Sequence, residues 1–126
     1  MVDSERLSRV AAIVAAALDR KAEDIVALDM QKLSSFADTF IIATGSSDRN
    51  VRSIADAIAE AMGRRGEKPL GVEGYEGGRW VLIDFDDIIV HLFLAEVRKH
   101  YDLERLWSDA PEIDLDSGAA RAALPR

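Results

Sequence analysis

The chain contains no cysteine. Disulfides, thiolate metal sites and a cysteine nucleophile are therefore excluded. Its two histidines, His91 and His100, are nine residues apart, one in a strand-like run and one near a helix end. Without a thiol they supply too few ligands for a zinc site. No run approaches the roughly 20 apolar residues that a membrane span needs. The first twenty residues carry Asp3, Glu5 and Asp19 among interrupted apolar positions. They read as neither a secretion signal nor a typical transit peptide. Positive charge is also short: 16 Lys and Arg against 23 Asp and Glu leave a net charge of −7. Phosphates attract clustered Lys and Arg, so such a domain lacks a general footprint for nucleic acid. It suits a basic protein partner, whose opposite field speeds encounter. The same charge also keeps a small protein soluble. The absence of cysteine fits a cytoplasmic location.

What is present is enough for one core. The 126 residues are 48% hydrophobic, which fits a single domain. Leu7, Val10, Ala11, Val14, Ala17 and Leu18 recur at helical spacing behind Ser4, a candidate N-cap, and predict an amphipathic helix over 5–20. Asp24 to Asp29 reads as a strand, and Lys32 to Asp38 as a polar connection. Thr39 to Thr44 is apolar nearly throughout, as a central strand buried on both faces would be. Ser46 or Ser47 then caps a second helix with Val51, Ile54, Ala55, Ile58, Ala59 and Met62 on its stripe. Gly63 or Gly66 ends it.

Lys68 to Glu73 can hold a short strand. Trp80–Asp84 and Ile88–Leu94 flank the acidic turn Asp84-Phe85-Asp86-Asp87 and read as a hairpin. Ala95 to His100 follows as a helix. The expected order is α-β-β-α-β-β-β-α, an α/β fold with a mixed sheet flanked by helices. Order is expected to end at Asp109-Ala110-Pro111. Residues 1–111 then form the domain, and 112–126, with scattered apolar residues, a flexible tail.

Three features invite a chemical reading. Gly45-Ser46 between a strand and a helix is a ready anion site, placed as in nucleotidyltransferases. Those enzymes need a pair of carboxylates about ten residues on, and here only Asp56 stands on the helix. Asp84 and Asp86 have the right mutual separation, but they come 38 residues later, at a turn. No Walker pattern is present. Asp84, Asp86 and Asp87 are ordinary turn residues, and a metal site there is not expected. His91, between Val90 and Leu92 in an apolar strand, reads as a hydrogen-bonded structural histidine. His100 sits near a helix end, where a cation is favourable. By contrast, the segment 78–111 holds both tryptophans, Trp80 and Trp107, close to Arg, His and carboxylates. That composition suits a protein-binding face better than a catalytic pocket.

The order of residues from about Lys21 to Pro111 resembles the ribosomal silencing factor, or Iojap, family. The colinear stretches are Asp24-Ile25-Val26-Ala27-Leu28-Asp29; Ser34-Ser35-Phe36-Ala37-Asp38-Thr39 running on to Gly45-Ser46-Ser47; Ser53-Ile54-Ala55-Asp56; Val72-Glu73-Gly74; Trp80-Val81-Leu82-Ile83-Asp84; and Val90-His91-Leu92-Phe93. Glu96, Arg98, Tyr101, Leu103-Glu104, Leu106-Trp107 and Asp109-Ala110-Pro111 close the match. The first helix matches in pattern only, and the tail lies outside. Asp86 stands where glycine is expected in the hairpin turn, and Asp tolerates the left-handed conformation. Thr39 replaces a residue that is often larger.

The resemblance implies a nucleotidyltransferase-like fold without the catalytic carboxylates, no catalysis and no cofactor. It implies binding to large-subunit ribosomal protein fourteen, a block on subunit joining, and lowered translation when nutrients are scarce. It also implies a homodimer when free; from charge and hydropathy, no direct nucleic-acid or membrane contact is expected. Two alternatives stay open: an assembly factor without repression, and a metal-dependent nucleotidyltransferase. The residues expected at the partner are Trp80, Asp84, His91, Glu96, Arg98, Tyr101, Leu106 and Trp107. Trp80 and Tyr101 would be apolar anchors, and Asp84 and Glu96 would pair with cations. Arg98 would equally serve as an internal brace for Glu96 or Glu104. Leu106 and Trp107 would lock the terminal segment onto the sheet.

Overall fold

The computed structural model describes residues 4–115. The elements are α1 (Ser4–Asp19), β1 (Glu23–Asp29), β2 (Thr39–Gly45), α2 (Asp48–Arg64), β3 (Gly71–Glu73), β4 (Trp80–Asp84), β5 (Ile88–Leu94) and α3 (Ala95–Tyr101). That is the expected order, with one addition, the four-residue α4 (Leu103–Leu106). The strands form one mixed sheet in the order β1-β2-β5-β4-β3. β2 and β5 run parallel, in register from Thr39 opposite Ile88 to Gly45 opposite Leu94. The other pairs are antiparallel.

Successive side chains on a strand point to opposite faces, so the sheet builds two cores. On the first face Ala27, Ile41, Ala43, Val81, Ile83, Val90 and Leu92 meet α1 and α2. On the second, Leu28, Phe40, Ile42 and Phe93 meet Met30, Ala37, Val97 and Ala110. β2 is buried at all seven residues for this reason, as its unbroken apolar run predicts.

Both long helices follow their stripes with small shifts. Ser47 Oγ accepts from the Asn50 N–H at 3.0 Å and caps α2. Gly66, at φ +82°, takes the left-handed conformation just beyond the helix end. In α1, Leu18 is 55% exposed, whereas Ile13 and Arg6 are buried. Arg6 takes the inward position one turn before Val10 because it has partners there. Its guanidinium donates to Thr39 Oγ1 at 2.7 Å, to Asp29 Oδ1 at 3.1 Å and to the Asp38 carbonyl. Arg9 grips the hairpin turn from the same helix, with Nη1 and Nη2 on Asp87 at 2.6 and 2.9 Å and Nε on Glu67 at 3.0 Å. In that turn Asp86 has φ +78°, the conformation its side chain tolerates.

The domain does not stop at Pro111. The Asp29 N–H donates to the Pro111 carbonyl, and the Ile113 N–H to the Ala27 carbonyl, each at 2.8 Å. Ile113 is 8% exposed and joins the first core. Residues 112–115 therefore lie along the outer edge of β1, because an unpaired strand edge offers backbone partners and an apolar margin. The remainder of the expected tail lies outside the described residues. Ending the chain at Pro111 is expected to cost about 1.5–3 kcal/mol, the burial of one isoleucine. The check is the urea midpoint of the truncated chain; an unchanged midpoint would refute the contribution. No helix among the described residues is long and apolar enough to cross a membrane.

Candidate partner-binding face

The second face of the sheet is only partly covered. Val97, Leu103, Trp107 and Ala110 close it around Phe40 and Phe93. Over β4 the cover thins: Trp80, Leu82 and Asp84 point to this face and are half-buried, alternating with buried Val81 and Ile83. Ile89 on β5 is also half-buried.

Arg98 sets where the cover begins. Its Nε and Nη2 donate to the Glu104 carboxylate at 3.0 and 3.1 Å. Its Nη1 donates to the Asp24 carbonyl at 2.6 Å and to Thr44 Oγ1 at 2.8 Å. Asp24, at φ +50°, lies where β1 slips register against β2, so its carbonyl is free of the ladder. Arg98 thus ties α3 to the sheet and to the segment after it. Asp102 reverses the chain in the left-handed conformation (φ 47°, ψ 55°), which turns α4 back under α3. The result places Tyr101 beside Trp80.

Trp80 is the centre of the uncovered zone. Its ring centroid lies 4.9 Å from Phe93, the residue directly across the hairpin, and 4.7 Å from Tyr101. Its Nε1 donates to His91 Nδ1 at 3.2 Å. A hollow opens on each side. One, of about 540 Å3, is lined by Arg79, Trp80, Glu96, Val97, His100 and Tyr101. The other, of about 220 Å3, is lined by Glu73, Gly74, Trp80 and Leu82. Gly74 is required there: its φ is +76°, and a Cβ would lie 2.1 Å from the Trp80 carbonyl oxygen. The backbone of the β3–β4 connection thereby packs directly against the start of β4.

The eight residues expected at the partner separate into groups. Trp80, Glu96 and Tyr101 come together, with Glu96 exposed on the first turn of α3 and Tyr101 52% exposed. Leu106, 69% exposed, lies on α4 beyond them. Trp107 is half-buried and meets Phe40 edge-on at 6.0 Å, so it packs the terminal segment onto the sheet. Asp84 is on the same face but four residues along β4, about 13 Å from Trp80. Its Oδ1 accepts the Asp86 N–H at 2.7 Å and holds the turn.

For two of the eight, the second of two open readings fits the geometry. His91 is 5% exposed and lies beneath the face, in the place of a structural histidine. Burial pushes its imidazole down to about 4, so it is neutral near pH 7. Arg98 is the internal brace, with its donors committed to Glu104, Asp24 and Thr44. Leu82, Ile89, Arg79 and His100 also lie on or beside this face and are not among the eight expected residues. Counting by twos from Trp80 and from His91 reaches Leu82 and Ile89, once the hairpin register is known.

The Gly45-Ser46 element is arranged differently from a phosphate cradle. The Ser46 N–H donates to Asn50 Oδ1 at 2.9 Å, and the Asn50 N–H to Ser47 Oγ at 3.0 Å. Donors that an anion would use are thus engaged by the chain's own side chains. A Cβ on residue 45 would meet Val51 Cγ2 at 2.6 Å, so the glycine is needed for helix packing. Asp84 pairs with Ile89 and Gly45 with Leu94, which puts the acidic turn and the Gly-Ser element at opposite ends of β5. Five residues of strand separate them, roughly 17 Å.

Comparison with known proteins gives a consistent result. The profile of the family described as "Ribosomal silencing factor during starvation" matches residues 3–125, so α1 and the segment past Pro111 fall within it. The ribosomal silencing factor of Bacillus subtilis is 46% identical over 104 residues, covering 82% of this chain and 88% of that protein. A crystal structure of a protein from Chromobacterium violaceum superposes with a TM-score of 0.78 at 37% identity, covering 95% of this chain and 98% of that one. One from Bacillus halodurans gives a TM-score of 0.75 at 40% identity, covering 84% and 96%.

Proposed function

The chain belongs to the ribosomal silencing factor family, and we propose that it binds large-subunit ribosomal protein fourteen on the face that meets the small subunit. Bound there, it blocks subunit joining and lowers translation under nutrient limitation. The observation that carries this reading is the half-buried Trp80, set between two hollows and against exposed Tyr101. A large aromatic anchor with concavities beside it is what a protein partner inserts against. The net charge of −7 favours a basic protein over the surrounding RNA. Glu96 at the rim supplies a carboxylate for a partner cation.

Obstruction requires placement and no chemistry, so the reading needs neither catalysis nor a cofactor. The separation of Asp84 and Asp86 from Gly45-Ser46 favours it over nucleotidyl transfer. A cytoplasmic location and a homodimer in the free state accompany the proposal. The test is co-sedimentation with separated large subunits, small subunits and joined ribosomes. Binding is expected to large subunits alone, with joining suppressed when small subunits are added afterwards. Equal binding to small subunits would sink the reading.

A further inference from the structure

We infer that His91 is the positioning residue for Trp80, its Nδ1 accepting the indole N–H and holding the ring between the two hollows. This rests on the partner-binding reading above and adds the device that prepares the anchor. Trp80 and His91 are diagonal neighbours on one face: Trp80 pairs with Phe93 and His91 with Leu82 in the hairpin register. Diagonal positions on adjacent strands lie within reach of aromatic side chains. The contacts of Trp80 with Phe93 and Tyr101 are ring contacts, which restrain distance but only loosely restrain rotation. The bond to His91, at 3.2 Å, is the directional contact.

The chemistry of the pair is one-way. Indole is a donor only, so His91 Nδ1 must be unprotonated and its proton must sit on Nε2. Burial keeps the ring neutral, which preserves the acceptor. For the core alone a histidine is a poor choice. It sits edge-on to Phe40 at 4.8 Å and stacked towards Phe93 at 6.2 Å, and an apolar side chain of that size would gain more from the same burial. What the imidazole adds at this place is the acceptor. A held ring enters the complex without losing rotamer freedom, which strengthens binding through preorganisation.

The experiment uses the full chain with His91→Leu and His91→Gln. The Trp80 indole N–H is read by proton–nitrogen NMR, with Trp107→Phe used for assignment. His91→Leu is expected to move the Trp80 indole signal upfield and speed its exchange with solvent. Its denaturation midpoint is expected to equal or exceed that of the parent. Its affinity for isolated large subunits should fall roughly 3- to 10-fold, the worth of one net hydrogen bond. His91→Gln retains an acceptor and should recover most of that affinity. An unchanged indole signal in His91→Leu overturns the inference, as does affinity in both variants equal to the parent. A His91→Leu chain that fails to fold, together with a His91→Gln chain as weak as a loss of the bond predicts, assigns His91 to the core and overturns it too. If the parent chain does not bind large subunits, the partner reading fails, and the indole signal alone still decides whether His91 positions Trp80.

Discussion

Replacing Trp80 with alanine is expected to weaken binding to isolated large ribosomal subunits by roughly 30- to 1000-fold in a protein that remains folded. The range is that of a central aromatic anchor, which loses about 2–4 kcal/mol on truncation. Two effects compete in this variant. Trp80 packs on Phe93 and Tyr101, so removing it also loosens the fold. It is half-buried, however, and opens β4 at its N-terminal end. The stability cost should therefore stay below the roughly 3–5 kcal/mol of deleting a fully buried aromatic. The domain would survive that, because small domains carry about 5–15 kcal/mol of stability. Affinity and denaturation midpoint, measured on one preparation, separate the effects. A folded Trp80→Ala protein that still prevents subunit joining at the parental concentration would refute the anchor assignment.

The location of Trp80 is the reason a single ring is expected to have so large an effect. The first face of the sheet is closed by two long helices, and the β1 edge by residues 112–115. The β4 half of the second face is what α3 and α4 leave uncovered, because Arg98 fixes them over β5, β2 and the slipped end of β1. Trp80, Leu82 and Ile89 are apolar residues left half-covered there. A partner that covers them completes the second core from outside, with Trp80 as its largest member. Asp84 lies at the far end of that strip, so only a partner long enough to span β4 would reach both it and Trp80.

Much of this architecture was legible in the residues. β2 announced itself by a nearly unbroken apolar run, and the hairpin by two largely apolar runs around Asp84-Phe85-Asp86-Asp87. α2 had a cap, a stripe and a glycine in sequence order. These signals are local, and local signals survive folding. What could not be read was decided by distant partners. Arg6 occupies an inward position on α1, yet a charged residue reads as solvent-facing until Thr39 and Asp29, 33 and 23 residues away, are in place. Ile113 is one apolar residue without periodicity, buried only because the β1 edge is open to it. His91 looked available as a contact because alternation gives a face but not the cover above it. Phe40, Phe93 and Trp80 supply that cover from three different strands. The candidate site reads in the sequence as a set of aromatics; which of them lie exposed, which brace and which lie beneath depends on register.

The largest stability effect is expected at Arg6. Its guanidinium is buried, and it links α1 to Asp29, Thr39 and the Asp38 carbonyl at the end of β1 and the start of β2. Arg6→Ala leaves a carboxylate and a carbonyl facing a void, and breaking a buried pair of this kind costs about 3–5 kcal/mol. Lysine should not restore it, because one ammonium cannot reach three acceptors in the fork geometry. The pH dependence provides a second readout. Burial alone would raise the Asp29 carboxyl, but the Gln31 N–H and Arg6 more than offset this and hold it below its ordinary value of 3.8. The hydrogen bond from Arg9, against burial, holds Asp87 below 3.8 as well. A carboxyl with a depressed pKa contributes stability in full above its unfolded value and loses it as pH falls. His91 acts earlier: the unfolded imidazole takes its proton near 6.5, the folded one only near 4, so stability declines across that window and then levels. The parent should therefore weaken in two stages on acidification, first between about 6.5 and 4, then below 3.8. Arg6→Ala should start from a much lower midpoint in urea at pH 7 and lose the Asp29 share of the second stage, while keeping the first. An Arg6→Ala protein with the parental midpoint would show that the apolar stripe of α1 holds the helix without the buried guanidinium.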